Sequence, residues 1–453
     1  MAGINVASQY SGDLVNYIAK KTLPLTRKQL VAYQFGDPLT LPKGMGSTYS
    51  ATRYNRLPLP QYPISEGVSP DGETMTISTV TAVAQQWADS VKITDVAEMT
   101  IFHPPFQKAI ELIGLQAAET FERNTMNALM AGTQVNFVNS RGSRAALTAG
   151  DVLDSTTVIR TDAALETLGA PRFMGDEQTD TKISAESGGA KASSNPRAMP
   201  HYAAIIHTLV VGDFRQNSTV VLAWTYSDIN RLYNYEAGEW SGIRFCKSNM
   251  VPSFTGVANN DSGLAYAVNI GNGALPANTG YRIIVTGSDN QNQYESRIYQ
   301  VSGAQNVALN GSITVTTPST AGFTYSVYIG TSTSPTNLGV TTAGPTTGPM
   351  QGMAVQLPPA TAVVITAVGN AQTPPAAPAT GVTVFPTFII GRGAYGQVML
   401  DNITYTYLKD ADKSDVHNLL RVVGWKAMYG TLIQNQQFMA RIESSSAFTA
   451  SFG

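Results

Sequence analysis

From Ile298 to Gly391 the chain runs 94 residues without an Asp, Glu, Lys, Arg or His. A stretch that cannot place a charge on its surface is confined to few folds. It is not a membrane span, because Thr, Ser, Gly and Pro interrupt it every few residues and no 18-residue apolar run occurs. Alternation at Phe323, Tyr325, Val327 and Ile329 predicts half-buried strands. Thr317–Pro318, Gly344–Pro345, Gly348–Pro349 and Pro358–Pro359 punctuate them. The expectation is a small neutral β domain set inside a host with ordinary charges on both sides. Such a module is poorly suited to proton transfer, metal binding or phosphate binding, and suits a spacer, a decoration or a docking surface.

Over all 453 residues, charged side chains make up 13%, about half the usual ~25% share. A free monomer of this size keeps more charge on its surface, so extensive burial against partners is expected. The net charge of −2 excludes a chain-wide electrostatic grip on nucleic acid. A single cysteine, Cys246, excludes an internal disulfide framework. Met1–Ala2–Gly3 opens a polar segment with no apolar h-region, so no secretory signal is expected and the protein is expected to stay in a cytosol.

Along the chain, residues 1 to about 55 read as an extended arm, with scattered prolines and a short helix candidate near Asp13–Lys21. Ser69–Pro70–Asp71–Gly72 marks a tight turn, followed by the β-branched run Thr74–Ala84, in which neither face is consistently apolar. That run fits either an edge hairpin on a sheet, which the segment alone favours, or a ribbon reaching outward. After Pro104 and Pro105, the spacing of Phe106, Ala109, Ile110, Ile113, Ala117 and Phe121 predicts a helix of about 27 residues, roughly 40 Å long. Lys108, Glu111, Glu119, Glu122 and Arg123 are placed on its polar face. A second helix is expected over Thr156–Leu168, and a loop over Asp176–Pro200. Buried strands are expected at Ala203–Val211, Gly238–Phe245 and Val384–Ile390, and an extended segment at Leu420–Ile433 with Gly424 and Gly430 as candidate bulges. Helices and strands mix without βαβ regularity, which is an α+β pattern.

The chemistry a catalyst needs is missing from the pattern. Gly391–Gly396 spells GxGxxG after a strand, but strand-like residues follow it where a dinucleotide site needs a helix. It therefore reads as a turn re-entering a sheet. Asp410, Asp412 and Ser414 imitate the start of a calcium loop, yet Asp415 stands where Gly is needed and Arg421 where Glu is needed. His103, His201, His207 and His417 show no metal-ligand spacing. Cys246, flanked by Arg244, Phe245 and Lys247, reads as a strand residue rather than a nucleophile. No catalytic, cofactor-binding or metal-binding residue is expected, and the chain reads as a non-enzyme.

Several runs together carry a resemblance: Tyr202–His207, Glu236–Phe245, Gly391–Gly396, Arg421–Lys426 and Arg441–Glu443. In order and spacing the chain resembles the major capsid proteins of tailed phages with the Hong Kong 97-type (Johnson) fold, and more narrowly the podovirus N-four-like capsid family. It departs in two places. Thr208 follows His207 where the family often has Pro, and the neutral segment splits the pattern between Gly263 and Val384.

The resemblance covers all but that insertion. It implies an α+β capsid fold with an N-terminal arm (1–55), an extended loop (56–95) and a spine helix in the peripheral domain (96–135). It further implies a mainly axial domain (136–264 and 385–410) and C-terminal peripheral strands (411–453). Residues 265–384 resemble an inserted immunoglobulin-like sandwich, with strands at Tyr281–Thr286, Tyr294–Val301, Gly311–Thr316, Phe323–Ile329, Met353–Leu357 and Val363–Val368. The implied function is self-assembly into hexamers and pentamers of an icosahedral head shell in the virion, built in the host cytoplasm. The implied partners are other copies, portal, scaffolding and decoration proteins, and packaged double-stranded DNA held without sequence specificity. No membrane and no cofactor is implied. A β-rich surface-layer or adhesive protein is the alternative: it accounts for the neutral domain but not for the long helix or the ordered motifs.

Overall fold

A computed structural model describes residues 28–59, 72–100, 105–173, 201–216, 221–222, 233–257, 263–270, 277–289, 294–300, 305–330, 340–342, 357–368, 375–408 and 419–449. The Asp13–Lys21 helix, the Ser69–Asp71 part of the turn, the Asp176–Pro200 loop, the Asp410–Asp415 segment, His103 and His417 fall outside these residues. The chain divides into two compact units.

The larger unit is organised by a sheet buried on both faces. Its host part runs Phe254–Val257, Thr383–Ile390, Tyr202–His207, Ile243–Ser248, Glu236–Trp240 and Val221–Leu222, with Met439–Ser444 on the other side of Thr383–Ile390 and Val135–Phe137 beyond that. Successive residues of a strand point to opposite faces, and the cores divide accordingly. Tyr202, Ala204 and Ile206 join Ile243, Phe245, Ile389 and Ile442 on one face, under the helices Ser155–Thr167 and Thr208–Gln216. Ala203 and Ile205 join Cys246, Phe388 and Ile390 on the other, with Met126 and Leu129 from the long helix and with Val31, Ala32 and Phe35. A strand covered on both sides reads as an unbroken apolar run, which is why Ala203–Val211 gave no period.

That run is also where the expected strand was too long. Pairing stops at His207, and Thr208–Gln216 is helical, with Val210, Val211 and Phe214 buried. Gly238–Phe245 likewise is not one strand. Ser241 and Gly242 both take positive φ (51° and 71°), and the chain turns back so that Trp240 pairs with Ile243. Two central residues at positive φ are the signature of a two-residue hairpin turn. Val384–Ile390 and Leu420–Ile433 are strands as expected, and Pro105–Met130 and Ser155–Thr167 are the expected helices.

The inserted segment forms two facing sheets around one core. One contains Asn278–Asp289 between Glu295–Gln300 and Phe323–Gly330; the other runs Ala265–Asn269, Ser312–Thr316, Ala362–Val368, Val340–Thr342. Ile283, Val285, Val327 and Ile329 from the first sheet meet Ile313, Val315, Val363 and Ile365 from the second. Of the expected strands here, Met353–Leu357 is the exception: only Leu357 is described, bridging Tyr325. The first sheet continues into the host, because Arg297–Tyr299 pairs in parallel with Thr255–Val257.

Thr48–Tyr54, within the segment expected as an arm, pairs antiparallel with Ile77–Val83 to make a two-stranded ribbon. The smaller unit holds, among described residues, residues 86–94 of the strand Gln85–Thr94, residues 401–408 and 420–428 of two others, and the start of the long helix. Ala109, Ile113 and Ala117 form the buried stripe of that helix segment, as their spacing of four predicts.

Candidate functional site

Among the described residues, those the sequence singled out for possible chemistry are absorbed by the fold. The glycine-rich turn leaves Thr383–Ile390 and re-enters a strand at Tyr395. Its amides are spent on protein carbonyls: Gly391 N–H donates to Phe438 O (2.7 Å), Arg392 N–H to Pro171 O (2.9 Å) and Ala394 N–H to Gly391 O (3.3 Å). The outer glycines are there for close approach. A Cβ on Gly391 would sit 2.9 Å from Pro171 O, and one on Gly396 would sit 2.4 Å from Leu39 Cδ1. A phosphate cradle needs amides at a helix N-terminus; a strand, not a helix, follows this turn.

Cys246 lies in the core of strand Ile243–Ser248, where burial pushes its thiol up, so no thiolate is present to attack. His207 stacks on Phe385 (4.5 Å between centroids) and its Nδ1 accepts from Leu209 N–H (3.2 Å). Burial pushes its pKa down to about 4. His201 is enclosed, with Nε2 3.0 Å from Tyr233 Oη. Among the described residues no group of His, Cys, Asp and Glu could hold a metal ion.

Two buried polar clusters were not foreseen. Glu122 does not lie on a polar face: it is 3% exposed and its carboxylate accepts from Val31 N–H (2.8 Å) and Ala32 N–H (2.8 and 3.1 Å). Burial outweighs these bonds and raises its pKa to about 7. Tyr395 Oη donates to Ala32 O beside it. The side chain thus locks the start of the described chain onto the long helix. Elsewhere Arg144 grips Glu443 with two bonds (2.7 and 2.6 Å), donates to Ala376 O (2.9 Å) and lies over the Phe254 ring (4.1 Å). Arg441 sits 3.0 Å from the same carboxylate and donates to Met130 O (2.5 Å). A fork-to-fork Arg–carboxylate pair fixes orientation as well as distance. Here it ties the residues entering and leaving the insertion to the last strand. Only the pairing partners, far apart in sequence, reveal these roles.

What remains open is surface. The ribbon is anchored at its root, where Ala82 packs with Leu41, Val398 and Leu432. Beyond that, no residue of either strand is buried. Tyr54, Met75 and Ile77 are 66, 71 and 55% exposed. A two-stranded ribbon without a packed face is marginal by itself, and exposed apolar groups of this size mark interaction surfaces. Among the described residues, the candidate site is this contact surface.

No family model and no curated protein sequence matches the chain. Solved structures do. The chain is similar to the capsid of Ralstonia phage GP4, at 8% identity and a TM-score of 0.51, covering 98% of each chain. It is also similar to a chain of the Cyanophage Pam1 capsid, at 9% identity and a TM-score of 0.51, covering 99% of this chain and 100% of that one. The fold is a phage-capsid fold. The α+β class and the capsid fold expected from the ordered motifs are borne out. Four of those motif runs lie in the larger unit: Tyr202 pairs with Ile243, Phe388 with Arg441, and Gly391 follows their shared sheet. Arg421–Lys426 lies in the smaller unit.

Proposed function

We propose that this chain is the major capsid protein of a tailed phage, self-assembling into hexamers and pentamers of an icosahedral shell around double-stranded DNA. The observation that carries this is end-to-end coverage: the fold match spans 98–99% of this chain and 98–100% of the two capsid chains. In this reading residues 1–55 are the arm, 56–95 the extended loop, and 96–135 and 411–453 the peripheral domain. Residues 136–264 and 385–410 are mainly axial, and 265–384 are an immunoglobulin-like insertion.

The physical logic follows. Rings close when each subunit presents complementary surfaces to two neighbours, and a ribbon with no core of its own gains its packing from the next subunit. The low charged fraction fits a subunit whose surface is mostly covered. The role requires no bond chemistry, in keeping with a glycine turn, Cys246, His201 and His207, which serve the fold. Packaged DNA is held by enclosure rather than by sequence, and portal, scaffolding and decoration proteins are the other partners of such a shell in the virion.

The test is electron microscopy of the expressed chain. Closed shells or five- and six-fold rings are expected. Flat lattices or fibres would favour a surface-layer or adhesive protein, and discrete small particles would sink both readings.

A further inference from the structure

The outer sheet of the insertion ends on an unguarded edge. Ala265–Asn269 pairs on one side with Ser312–Thr316, in register from Ala265↔Thr316 to Asn269↔Ser312. Among the described residues no strand pairs with its other side. Natural sheets blunt such edges with charge, proline or a bulge. This one has none of them, and the four strands of its sheet contain no charged residue. Three of the four exposed large apolar side chains described in the insertion lie beside it, Val364 being two strands inward. Tyr266 is 43% exposed, Ile270 directly after the strand 88%, and Leu309 in the adjoining turn 69%.

We propose that this edge pairs with the same edge of a second copy of the chain, across a two-fold axis at Ala267. The proposal rests on the shell reading, which supplies local two-fold axes between neighbouring rings. Three features favour a second copy over a different partner. An uncharged surface meets its own duplicate without the like-charge repulsion that identical charged faces suffer. Antiparallel pairing about Ala267 sets Tyr266 against Val268 of the second copy, an aromatic and β-branched pair of the kind that stabilises strand contacts. It also sets Ile270 against Leu264 of the second copy, covering the most exposed apolar side chain in the described structure. Tyr266 and Val268 lie opposite the buried Val315 and Ile313, so the added strand would extend the hydrophobic layer of the sandwich.

Self-pairing fixes a distance. Residues directly opposite in antiparallel strands have Cα atoms about 4.5–5.5 Å apart, within the range a disulfide spans. In assembled particles, Ala267→Cys should therefore give disulfide-linked dimers as the main species on a non-reducing gel after mild oxidation. Ala362→Cys, exposed but two strands or about 10 Å inward, should stay monomeric. The only native thiol, Cys246, is buried. Ala267→Lys should leave the melting of the free subunit unchanged and lower that of the particle. Particles in which Ala267→Cys stays monomeric, or in which Ala362→Cys dimerises as fully, would overturn the edge pairing. Linkage to a different polypeptide would overturn it too. A wild-type chain that forms no particles would instead overturn the shell reading beneath it.

Discussion

Glu122 is a buried carboxyl whose burial outweighs its hydrogen bonds, and that leaves a signature in solution. Its carboxyl holds a proton more tightly in the folded chain (about 7) than its ordinary value of 4.5. Between these pH values the folded state keeps a proton the unfolded state has lost, so its contribution to stability falls as pH rises, by up to about 3 kcal/mol. His207 tilts the other way: its folded value of about 4 lies below 6.5, so its contribution rises with pH across that window. Glu122→Gln keeps an acceptor for the Val31 and Ala32 amides and removes the titration. Relative to wild type, the variant should gain stability from pH 4.5 to 7, leaving a curve that climbs with pH. Parallel melting curves would show that Glu122 does not titrate in that range. Glu122→Ala strands two buried amides and should cost roughly 2–4 kcal/mol at pH 4.5, a cost that shrinks as pH rises towards 7 because the titration is removed as well. On the same helix, Ile113 is 1% exposed. Ile113→Asp would bury an unpaired carboxylate and should cost several kcal/mol in thermal melting. Lys108→Ala breaks only a surface pair with Glu111 (2.6 Å) and should cost under about 1 kcal/mol.

At the scale of elements, legibility followed periodicity. The long helix was plain because Ala109, Ile113 and Ala117 recur every four residues. Its polar face was misjudged at Glu122 because a carboxylate counts as polar until its backbone partners, about ninety residues earlier, are known. Tyr202–His207 and the helix after it merged into one expected strand, since burial on both faces erases the period that separates them. The Trp240–Ile243 hairpin was hidden because Ser241 takes positive φ, a conformation seldom adopted by a residue with a Cβ. Cys246 and the glycine turn were read correctly, each from immediate neighbours. The ribbon was legible only in part: its β-branched residues offer no apolar face, and none beyond Ala82 is buried. The segment alone favoured an edge hairpin on a sheet, whereas it pairs with Thr48–Tyr54 in a two-stranded ribbon of its own. Hydrogen exchange should therefore show rapid exchange at Ile77–Thr81 in free subunits and protection once particles form. Equal protection in both states would mean the ribbon is already packed within one chain.

For the whole molecule, the question is how far the neutral insertion stands apart from its host. The uncharged run is Ile298–Gly391, whereas the insertion, 265–384, also holds Arg282, Asp289, Glu295 and Arg297, and the packing follows neither boundary. Tyr294 is buried with Met126, Phe388 and Tyr395 in a host core, and Arg297–Tyr299 pairs with Thr255–Val257. On the return path, Arg144 holds Ala376 O, while Gly381 N–H donates to Gly256 O (2.8 Å) and Gly256 N–H to Val382 O (3.1 Å). The last eight residues before Val384 therefore belong energetically to the host, although they carry the insertion's uncharged composition. Two deletions separate the alternatives. Joining Gly263 to Val384 through a Gly/Ser linker removes both the sandwich and these bonds. Joining Gly263 to Ala376 removes the sandwich and keeps them. Both lose Tyr294, whose replacement by Ala in the intact chain should itself cost roughly 3 kcal/mol. The stem-retaining deletion should melt below wild type, above the full deletion, and still form particles. If the two deletions melt together, Arg144 and Gly256 do not anchor the stem, and residues 376–383 belong with the sandwich rather than the host.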